Sequence, residues 1–326
     1  MIQKAFFGKC EKGEVYAYTL SNETGLSATI LTMGGIIQKL EYRGIDVTLG
    51  YDTLEEYLEN SGHFGALIGR VANRIAGAEL TIGGMSYPLS VNRGIHQIHG
   101  GFEGFGKKIW DAETENGELK LTLFSPHLDE GFPGNLQVTV TYSLVGSGLC
   151  IDYRAVSDRD TAVNMTNHAY FNLNGGGNVL KHTLQLNAVA YTPTDKDGIS
   201  TGDILPVAGT ALDFTKEKAL GTDIANTATG SYDNNYCLNG QGLRKVALLK
   251  GDTLSMEVET TTEGMQIYCS TFKSPRQGKG NSIYQGSCFV CLEAQGYPDA
   301  VHHSNFPSVL LPANKEYRQT TIYRLH

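Results

Sequence analysis

The chain has 326 residues, of which 40% are apolar and 18% are charged, a balance typical of a folded protein rather than a disordered one. Its formal net charge of −8 and its lack of Lys/Arg-rich runs argue against a nucleic-acid partner. No stretch is apolar and long enough for a signal peptide or a membrane span, so we expect a cytoplasmic protein without a membrane partner.

Short alternating runs separated by Gly, Asn and Asp predict an all-β chain. In chain order we predict a helix at 52–58 with Asp52 as its cap and Glu55 in a capping box, a hairpin at 79–87, a strand at 136–144, a strand at 163–173, a helix at 215–220 ending at Gly221, and a hairpin at 248–254.

The domain organisation follows from what separates these elements. No Pro-rich or Ser-rich linker, charge block or fixed-period repeat marks a boundary, so we expect one domain covering residues 1–326. So many strands must stack to bury their apolar faces, which predicts a large antiparallel β-sandwich with a few short helices.

The strand at 163–173 carries the most informative pattern. Its apolar residues alternate with hydrogen-bonding ones, with Asn167 as the exception on the apolar side, and the second set consists of Asn164, Thr166, His168, Tyr170 and Asn172. Solvated strand faces usually carry Lys, Glu and Thr, whereas amides, imidazole and tyrosine suit a ligand rich in hydroxyl groups. The pattern therefore slightly favours a ligand-binding face over a solvated one.

Glu293 closes an apolar run at 287–293, which predicts a position at the rim of a sheet. The alternative is an ordinary surface glutamate. If its protein neighbours are apolar, its affinity for a proton rises, and it becomes a candidate general base.

Other candidates are weaker when taken singly. Asp233 lies in an Asn-rich segment that fits a turn, and Arg74 fits a surface ion pair. His99 precedes two glycines, where backbone can approach a ligand closely. Gln266 lies on a predicted strand that also displays Tyr268.

Signatures for metals and cofactors are incomplete. The six cysteines are scattered, so we expect reduced thiols, and Cys288 and Cys291 would point to opposite faces of a strand with no second pair to complete a zinc site. Adjacent His302 and His303 would likewise diverge, which favours a loop or surface role. The glycine-rich segment at 101–108 lacks the Ser/Thr of a phosphate-binding loop, and no dinucleotide fingerprint is present.

As an ordered set, the segments 69–75, 99–101, 166–173 and 292–299 resemble the aldose 1-epimerases, also called galactose mutarotases. The resemblance runs nearly from end to end, although each segment alone is weak. It implies a β-supersandwich fold, no metal, no cofactor, and a small aldohexose substrate such as galactose or glucose whose α and β anomers are interconverted. The oligomeric state stays open.

Carried over by position, the resemblance implies that Glu293 is the base and His168 the acid. The sugar-binding residues that it implies are Asn73, Arg74, His99, Asp233 and Gln266. One position departs from the family pattern, because Asn234 stands where histidine is common.

The expected reaction opens the sugar ring by moving two protons. Glu293 takes the proton of the C1 hydroxyl while His168 protonates the ring oxygen, and closure on the other carbonyl face gives the opposite anomer. Free histidine is mostly uncharged at neutral pH, so we expect a carboxylate, conjecturally Asp233, to help His168 hold its proton.

Three alternatives stay open at this point. Asp233 and Glu293 could be the carboxylate pair of a glycoside hydrolase. The polar face with Tyr170 and Tyr268 could belong to a non-catalytic carbohydrate-binding protein. An epimerase of hexose 6-phosphates would need a cationic pocket, for which the sequence offers only Arg70 and Arg74 near the motif.

Overall fold

The computed structural model describes residues 1–60 and 62–326, and 50% of the structure is strand against 6% helix. Most strands belong to three antiparallel sheets. The N-terminal sheet has five strands in consecutive order: Ile2–Cys10, Gly13–Ser21, Leu26–Leu31, Ile37–Tyr42 and Ile45–Asp46. The predicted all-β class is confirmed.

The other two sheets are built from the rest of the chain. The large sheet has nine strands, in spatial order Asp111–Glu115, Glu118–Ser125, Leu136–Val145, Gly148–Ser157, Glu316–Leu325, Ser255–Thr260, Arg244–Lys250, Thr183–Leu186 and Lys218–Ala219. The third sheet has five, in spatial order Leu205–Pro206, Ala188–Thr192, Tyr232–Leu238, Gly264–Cys269 and Cys291–Gln295.

Smaller elements connect the sheets. Two-stranded pairs are Arg74–Ile75 with Gln97–Ile98, Leu67–Ile68 with Thr166–Asn167, Glu79–Ile82 with Met85–Pro88, Thr161–Ala162 with Leu310–Leu311, and Phe272–Gln277 with Ile283–Gly286. Among the described residues the α-helix is Leu54–Glu59, and the 3₁₀ turns are Ala76–Ala78, Phe105–Lys107, Ile224–Asn226 and Lys279–Asn281. In the same part of the chain, no helix has the length and apolar composition needed to cross a membrane.

One apolar layer joins the three sheets. Every second residue of the Leu136–Val145 strand is buried from Leu136 to Tyr142, as the predicted period of two requires. The cluster to which these side chains belong includes residues of all three sheets and extends along the sequence from Tyr18 to Leu325. The sheets therefore pack as a sandwich, as predicted.

The two predicted hairpins are confirmed, and the first predicted helix is present with a different cap. Thr53 Oγ1 accepts a hydrogen bond from the Glu56 amide at 3.3 Å, and Glu56 Oε2 accepts one from the Thr53 amide at 3.0 Å. Asp52 instead accepts a hydrogen bond from the backbone of Gly280 at 2.6 Å. The capping box is therefore Thr53 with Glu56, one residue later than Asp52 with Glu55.

The predicted helix at 215–220 is wrong. Lys218–Ala219 forms the edge strand of the large sheet and pairs with Thr183 and Leu184. The Glu217 carboxylate accepts a hydrogen bond from Thr183 Oγ1 at 2.8 Å, which fixes the same edge. Backbone pairing with the neighbouring strand at the edge of the large sheet outweighs the local helical preference of this segment.

The predicted strand at 163–173 is only partly a strand. Thr166–Asn167 pairs with Leu67–Ile68, and Phe171 makes isolated bridges to other segments. Every residue from Val163 to Leu173 is buried, so neither face is solvated. The alternation thus marks two different buried environments, one apolar and one polar.

Candidate active site

The third sheet presents one apolar face and one polar face. Cross-strand partners share a face, and Gln266 is paired with both Asn235 and Glu293. Alternate residues on each strand join the same face. The polar face, which contains Gln266, displays Asp233, Asn235, Gln266, Tyr268, Cys291 and Glu293. The opposite face, with Ile267 and Leu292, belongs to the apolar core.

Glu293 meets His168 over this polar face. The distance from His168 Nε2 to Glu293 Oε1 is 3.5 Å, and the side chains are 6% and 2% exposed, respectively. The Tyr170 ring lies nearly parallel to the His168 ring, with centroids 5.0 Å apart. Glu293 is the central residue of the Cys291–Gln295 strand, the outermost strand of the third sheet, so it lies at a sheet edge but not at the end of a strand as predicted.

Burial governs the proton affinities of these two groups. It raises the pKa of the Glu293 carboxyl well above its usual range, and repulsion from the Asp233 carboxylate raises that pKa further. Burial lowers the pKa of the His168 imidazole to about 3, and His63 adds to the effect. Both directions favour the uncharged form of each side chain in the free enzyme.

Asp233 is joined to Gln266. Gln266 Nε2 donates a hydrogen bond to Asp233 Oδ1 at 2.6 Å, and Asp233 lies on the Tyr232–Leu238 strand, not in a turn. Burial raises the pKa of Asp233, while Arg74 and this hydrogen bond act in the opposite direction. Among the described contacts none supports the conjecture that Asp233 helps His168 hold its proton, since Asp233 contacts Gln266 and its charge raises the pKa of Glu293.

Asn73 and His99 bind each other through two reciprocal hydrogen bonds. The His99 amide donates to the Asn73 carbonyl at 3.0 Å, and the Asn73 amide donates to His99 Nδ1 at 3.2 Å. His99 Nδ1 is thus an acceptor, which leaves the ring proton on Nε2. Both residues have left-handed backbone, with φ of 60° and 52°, a strain of roughly 1–3 kcal/mol each that this mutual contact holds in place.

Arg74 follows directly and points into a cavity. Its amide donates to Asn73 Oδ1 at 2.9 Å. Gly198 has φ of 78°, a left-handed conformation that favours glycine, and its loop lies close to the guanidinium, since a Cβ there would be 2.9 Å from Arg74 Cζ. The cavity has a volume of about 520 Å³, and its wall includes Asn73, Arg74, Asn234, Asp233 and Gln266.

Glu293 and His168 do not line this cavity; they lie beside it, behind Gln266. Several buried polar atoms around this boundary have no hydrogen-bond partner among the described residues. They include Arg74 Nε, Gln266 Oε1, His168 Nδ1 and Glu293 Oε2. Buried polar groups are normally paired, so this concentration marks a place where a polar ligand would satisfy them.

His63 is a member of the site that sequence reasoning missed. Its ring centroid lies 4.8 Å from that of His99 and 5.7 Å from that of His168. Burial lowers the pKa of His63 to about 4, so the ring is neutral at physiological pH. Nothing around His63 in the sequence distinguishes it from a loop histidine, since its neighbours come from distant segments.

Arg70 has a structural role. Its guanidinium is 2% exposed and donates to Ser125, Pro126, Pro133 and Thr161, mostly to their carbonyl oxygens. These bonds occupy its donors, so Arg70 cannot contact a ligand. The cationic pocket that a hexose 6-phosphate would need therefore loses one of its two predicted arginines.

His302 and His303 lie in a loop, as expected, but their rings do not diverge, because both approach the carboxylate of Asp299. Asp299 is buried with φ of 58°, and its Oδ1 lies 2.7 Å from His302 Nδ1 and accepts a hydrogen bond from the Ala76 amide at 3.0 Å. Its Oδ2 lies 3.5 Å from His303 Nε2. Asp299 thereby ties the loop after Glu293 to the segment that follows Arg74.

Sequence comparison decides the family. The sequence model described as aldose 1-epimerase matches residues 16–324. The chain belongs to the aldose 1-epimerase family. Among the relatives of this family member, galactose mutarotase of Mus musculus is 39% identical, with 99% of this chain and 98% of the relative covered. Aldose 1-epimerase of Haemophilus influenzae is 34% identical, with 98% of each chain covered.

Solved structures of the family agree. Galactose 1-epimerase from Lactobacillus acidophilus superposes with a TM-score of 0.89 at 28% identity, covering 100% of this chain and 98% of that one. The predicted family, the mutarotase-like sandwich fold and the activity class of aldose 1-epimerase are confirmed. The glycoside hydrolase and the non-catalytic binding protein are therefore set aside.

Proposed function

We propose that Glu293 and His168 are the acid–base pair of this aldose 1-epimerase, and that the substrate is an aldohexose such as galactose or glucose. The observation that carries the proposal is the 3.5 Å separation of His168 Nε2 and Glu293 Oε1 beside a polar cavity. Two such groups can reach the C1 hydroxyl and the ring oxygen of one pyranose.

In the ring-opening step, Glu293 removes the proton of the C1 hydroxyl and His168 donates a proton to the ring oxygen. The bond between C1 and the ring oxygen breaks, and C1 becomes an aldehyde. Rotation about C1–C2 presents the other carbonyl face, and the reverse proton transfers close the ring. Each positioned group contributes roughly 10²–10⁴-fold to such a reaction.

Ring opening needs Glu293 as the carboxylate and His168 as the imidazolium, whereas burial favours the uncharged form of each. A bound sugar would oppose this effect of burial. Its C1 hydroxyl donates a hydrogen bond to the carboxylate, and its ring oxygen accepts one from the imidazolium, so both contacts favour the charged forms. The uncharged pair that burial favours matches the protonation state from which ring closure starts.

The remaining candidates would hold the sugar hydroxyls, and their grouping at one boundary supports this. Asp233 offers carboxylate acceptors, Gln266 an unpaired amide oxygen, and His99 a ring N–H. Asn73 and Arg74 line the same cavity. We also propose that residues 1–326 act as one domain, since one apolar cluster spans the chain, and that the enzyme is cytoplasmic, since its six cysteines are free thiols.

Polarimetry with freshly dissolved α-galactose and α-glucose tests the assignment. Glu293→Gln should lose about 10²–10⁴-fold in kcat. Glu263→Gln is the matched control, because Glu263 is an exposed glutamate beside the Gly264–Cys269 strand. A Glu293→Gln enzyme that equilibrates either sugar near the wild-type rate would show that Glu293 is not the base.

A further inference from the structure

We propose that Cys291, Glu293 and His168 form a site for a thiophilic divalent cation such as Zn²⁺, and that the bound ion inhibits the enzyme. One ligand atom from each residue lies within 4.8 Å of the other two, and all three residues are buried. Cys291 and Glu293 are two apart on one strand and share its polar face, while His168 approaches from another segment.

The geometry is close to what zinc needs. Zinc binds sulfur at about 2.3 Å, and nitrogen and oxygen at about 2.0–2.2 Å, in a tetrahedron, which places neighbouring ligand atoms roughly 3.3–3.8 Å apart. His168 Nε2 and Glu293 Oε1 already meet this spacing at 3.5 Å. The longest separation of 4.8 Å requires a closing movement of about 1 Å.

The charges also balance. A thiolate, a carboxylate and a neutral imidazole carry two negative charges, which one divalent cation neutralises in a site where burial penalises any net charge. Burial already keeps His168 in the neutral form that binds metals. Glu293 Oε2 is buried and has no hydrogen-bond partner among the described residues, so an ion would satisfy an atom that the protein does not.

Binding has a proton balance that can be measured. Burial raises the pKa of both the Cys291 thiol and the Glu293 carboxyl, so both groups carry protons in the free enzyme. Zinc displaces these protons, forming one metal–sulfur bond and one metal–oxygen bond. We therefore expect two protons to be released per ion bound, one from each of these groups. No oxidant or reductant is involved.

An ion in this position would occupy both proton-transfer groups. The fourth tetrahedral position would hold water or a sugar hydroxyl, but Glu293 could no longer accept a proton, nor His168 donate one. The inhibition therefore depends on the function proposed above, whereas the binding does not. The ion would be an inhibitor, not a cofactor, since the proposed reaction uses no metal.

The experiment measures binding and activity separately. Calorimetry with Zn²⁺ in two buffers of different ionisation enthalpy gives the affinity and the number of protons released. Absorption spectra with Co²⁺ report a sulfur ligand by the thiolate charge-transfer band. Polarimetry at buffered concentrations of free Zn²⁺ measures the inhibition of mutarotation. For the wild type we expect one ion, reversal of inhibition by a chelator, and no effect of Mg²⁺, which prefers oxygen ligands.

Cys291→Ala is the diagnostic variant. It should keep mutarotation, lose the cobalt–thiolate absorption and weaken zinc binding at least about tenfold, since even outer-shell partners of a metal typically contribute 10–100-fold. Cys288→Ala removes another buried thiol outside the cluster and should match the wild type.

Two results would overturn the site: no zinc binding to the wild type in the micromolar range, or equal binding to wild type and Cys291→Ala. If Cys291→Ala does not fold, the wild-type cobalt spectrum still decides, because absence of the thiolate band rules the site out. Zinc binding with the thiolate signature but without inhibition would uphold the site and contradict the catalytic roles of Glu293 and His168.

Discussion

Gln266 Nε2 donates a hydrogen bond to Asp233 Oδ1 at 2.6 Å, and Glu293 is one of the two cross-strand partners of Gln266. One glutamine thus stands between two carboxyl groups that repel each other. Burial raises the pKa of Asp233 at the cavity wall, Arg74 and Gln266 oppose that rise, and the charge of Asp233 raises the pKa of Glu293. Under the proposed role of Asp233, substrate binding and the proton affinity of Glu293 are coupled.

Asp233→Asn should separate these two effects. Removing the negative charge lowers the pKa of Glu293, so the acid limb of the kcat profile should move to lower pH. Loss of a charged hydrogen-bond acceptor should raise KM about 10–100-fold. Asp197→Asn, in an exposed aspartate of the same cavity, should leave the acid limb unchanged. An unmoved limb in Asp233→Asn would contradict the coupling.

Glu293→Gln should stabilise the protein while inactivating it. The folded-state pKa of Glu293 is raised, so its contribution to stability is present below the unfolded pKa near 4.3 and is lost as pH rises through the folded pKa. Glutamine has no such dependence. We expect the Tm of the variant to exceed that of the wild type at pH 8 and the difference to shrink toward pH 4.5. A calorimetric scan at both pH values checks this, with Glu263→Gln as the control.

His63 should contribute through its ring rather than through hydrogen bonds. No described residue hydrogen-bonds to its side chain, while its ring contacts those of His99 and His168. His63→Ala should lower kcat/KM about tenfold, an effect of the size of one lost aromatic contact. His63→Phe should restore most of the activity. If phenylalanine is no better than alanine, the ring nitrogens contact the sugar instead.

Asp299→Ala should destabilise the protein by roughly 2–4 kcal/mol, because buried charged hydrogen bonds are lost and alanine tolerates the left-handed backbone poorly. Denaturant unfolding measures the loss. Asp299→Asn keeps the acceptor for the Ala76 amide and suits the backbone, so it should be much milder. Equal losses would show that the charge, not the backbone contact, matters.

The contact with Asp299 raises the pKa of His302, which gives a pH test of the same loop. The stabilisation from His302 is present below the unfolded pKa near 6.5 and is lost as pH rises through the folded pKa. His302→Gln should therefore be less stable than the wild type at pH 5.5 and equal to it at pH 9. Unfolding midpoints at the two pH values decide the matter.

The sequence predicts the fold class well because hydrophobic periodicity is local. Alternation on the Leu136–Val145 strand and the hairpin at 79–87 need no tertiary information. Prediction from the sequence fails where contacts with a distant segment determine the local structure. Lys218–Ala219 is an edge strand because Thr183 and Leu184 lie beside it, and Glu293 is central because strand pairing continues to Gln295.

The candidate site, like the fold, was predictable only where the sequence carries a local signal. Pattern and family resemblance pointed to His168 and Glu293, but their distance could not be read from segments 125 residues apart. His63 carried no local signal at all. The sequence does not assign a role to Arg70, and only the surrounding carbonyl groups reveal that its donors are occupied.

The alternation of the third sheet makes its strand register decisive for chemistry as well as for folding. If the Cys291–Gln295 strand shifted its register by one residue against Gly264–Cys269, the Glu293 carboxylate would enter the apolar core and Leu292 would lie on the polar face. A chain mispaired in this way would be both unstable and inert. Quality control that removes unstable molecules would therefore also remove the inactive ones.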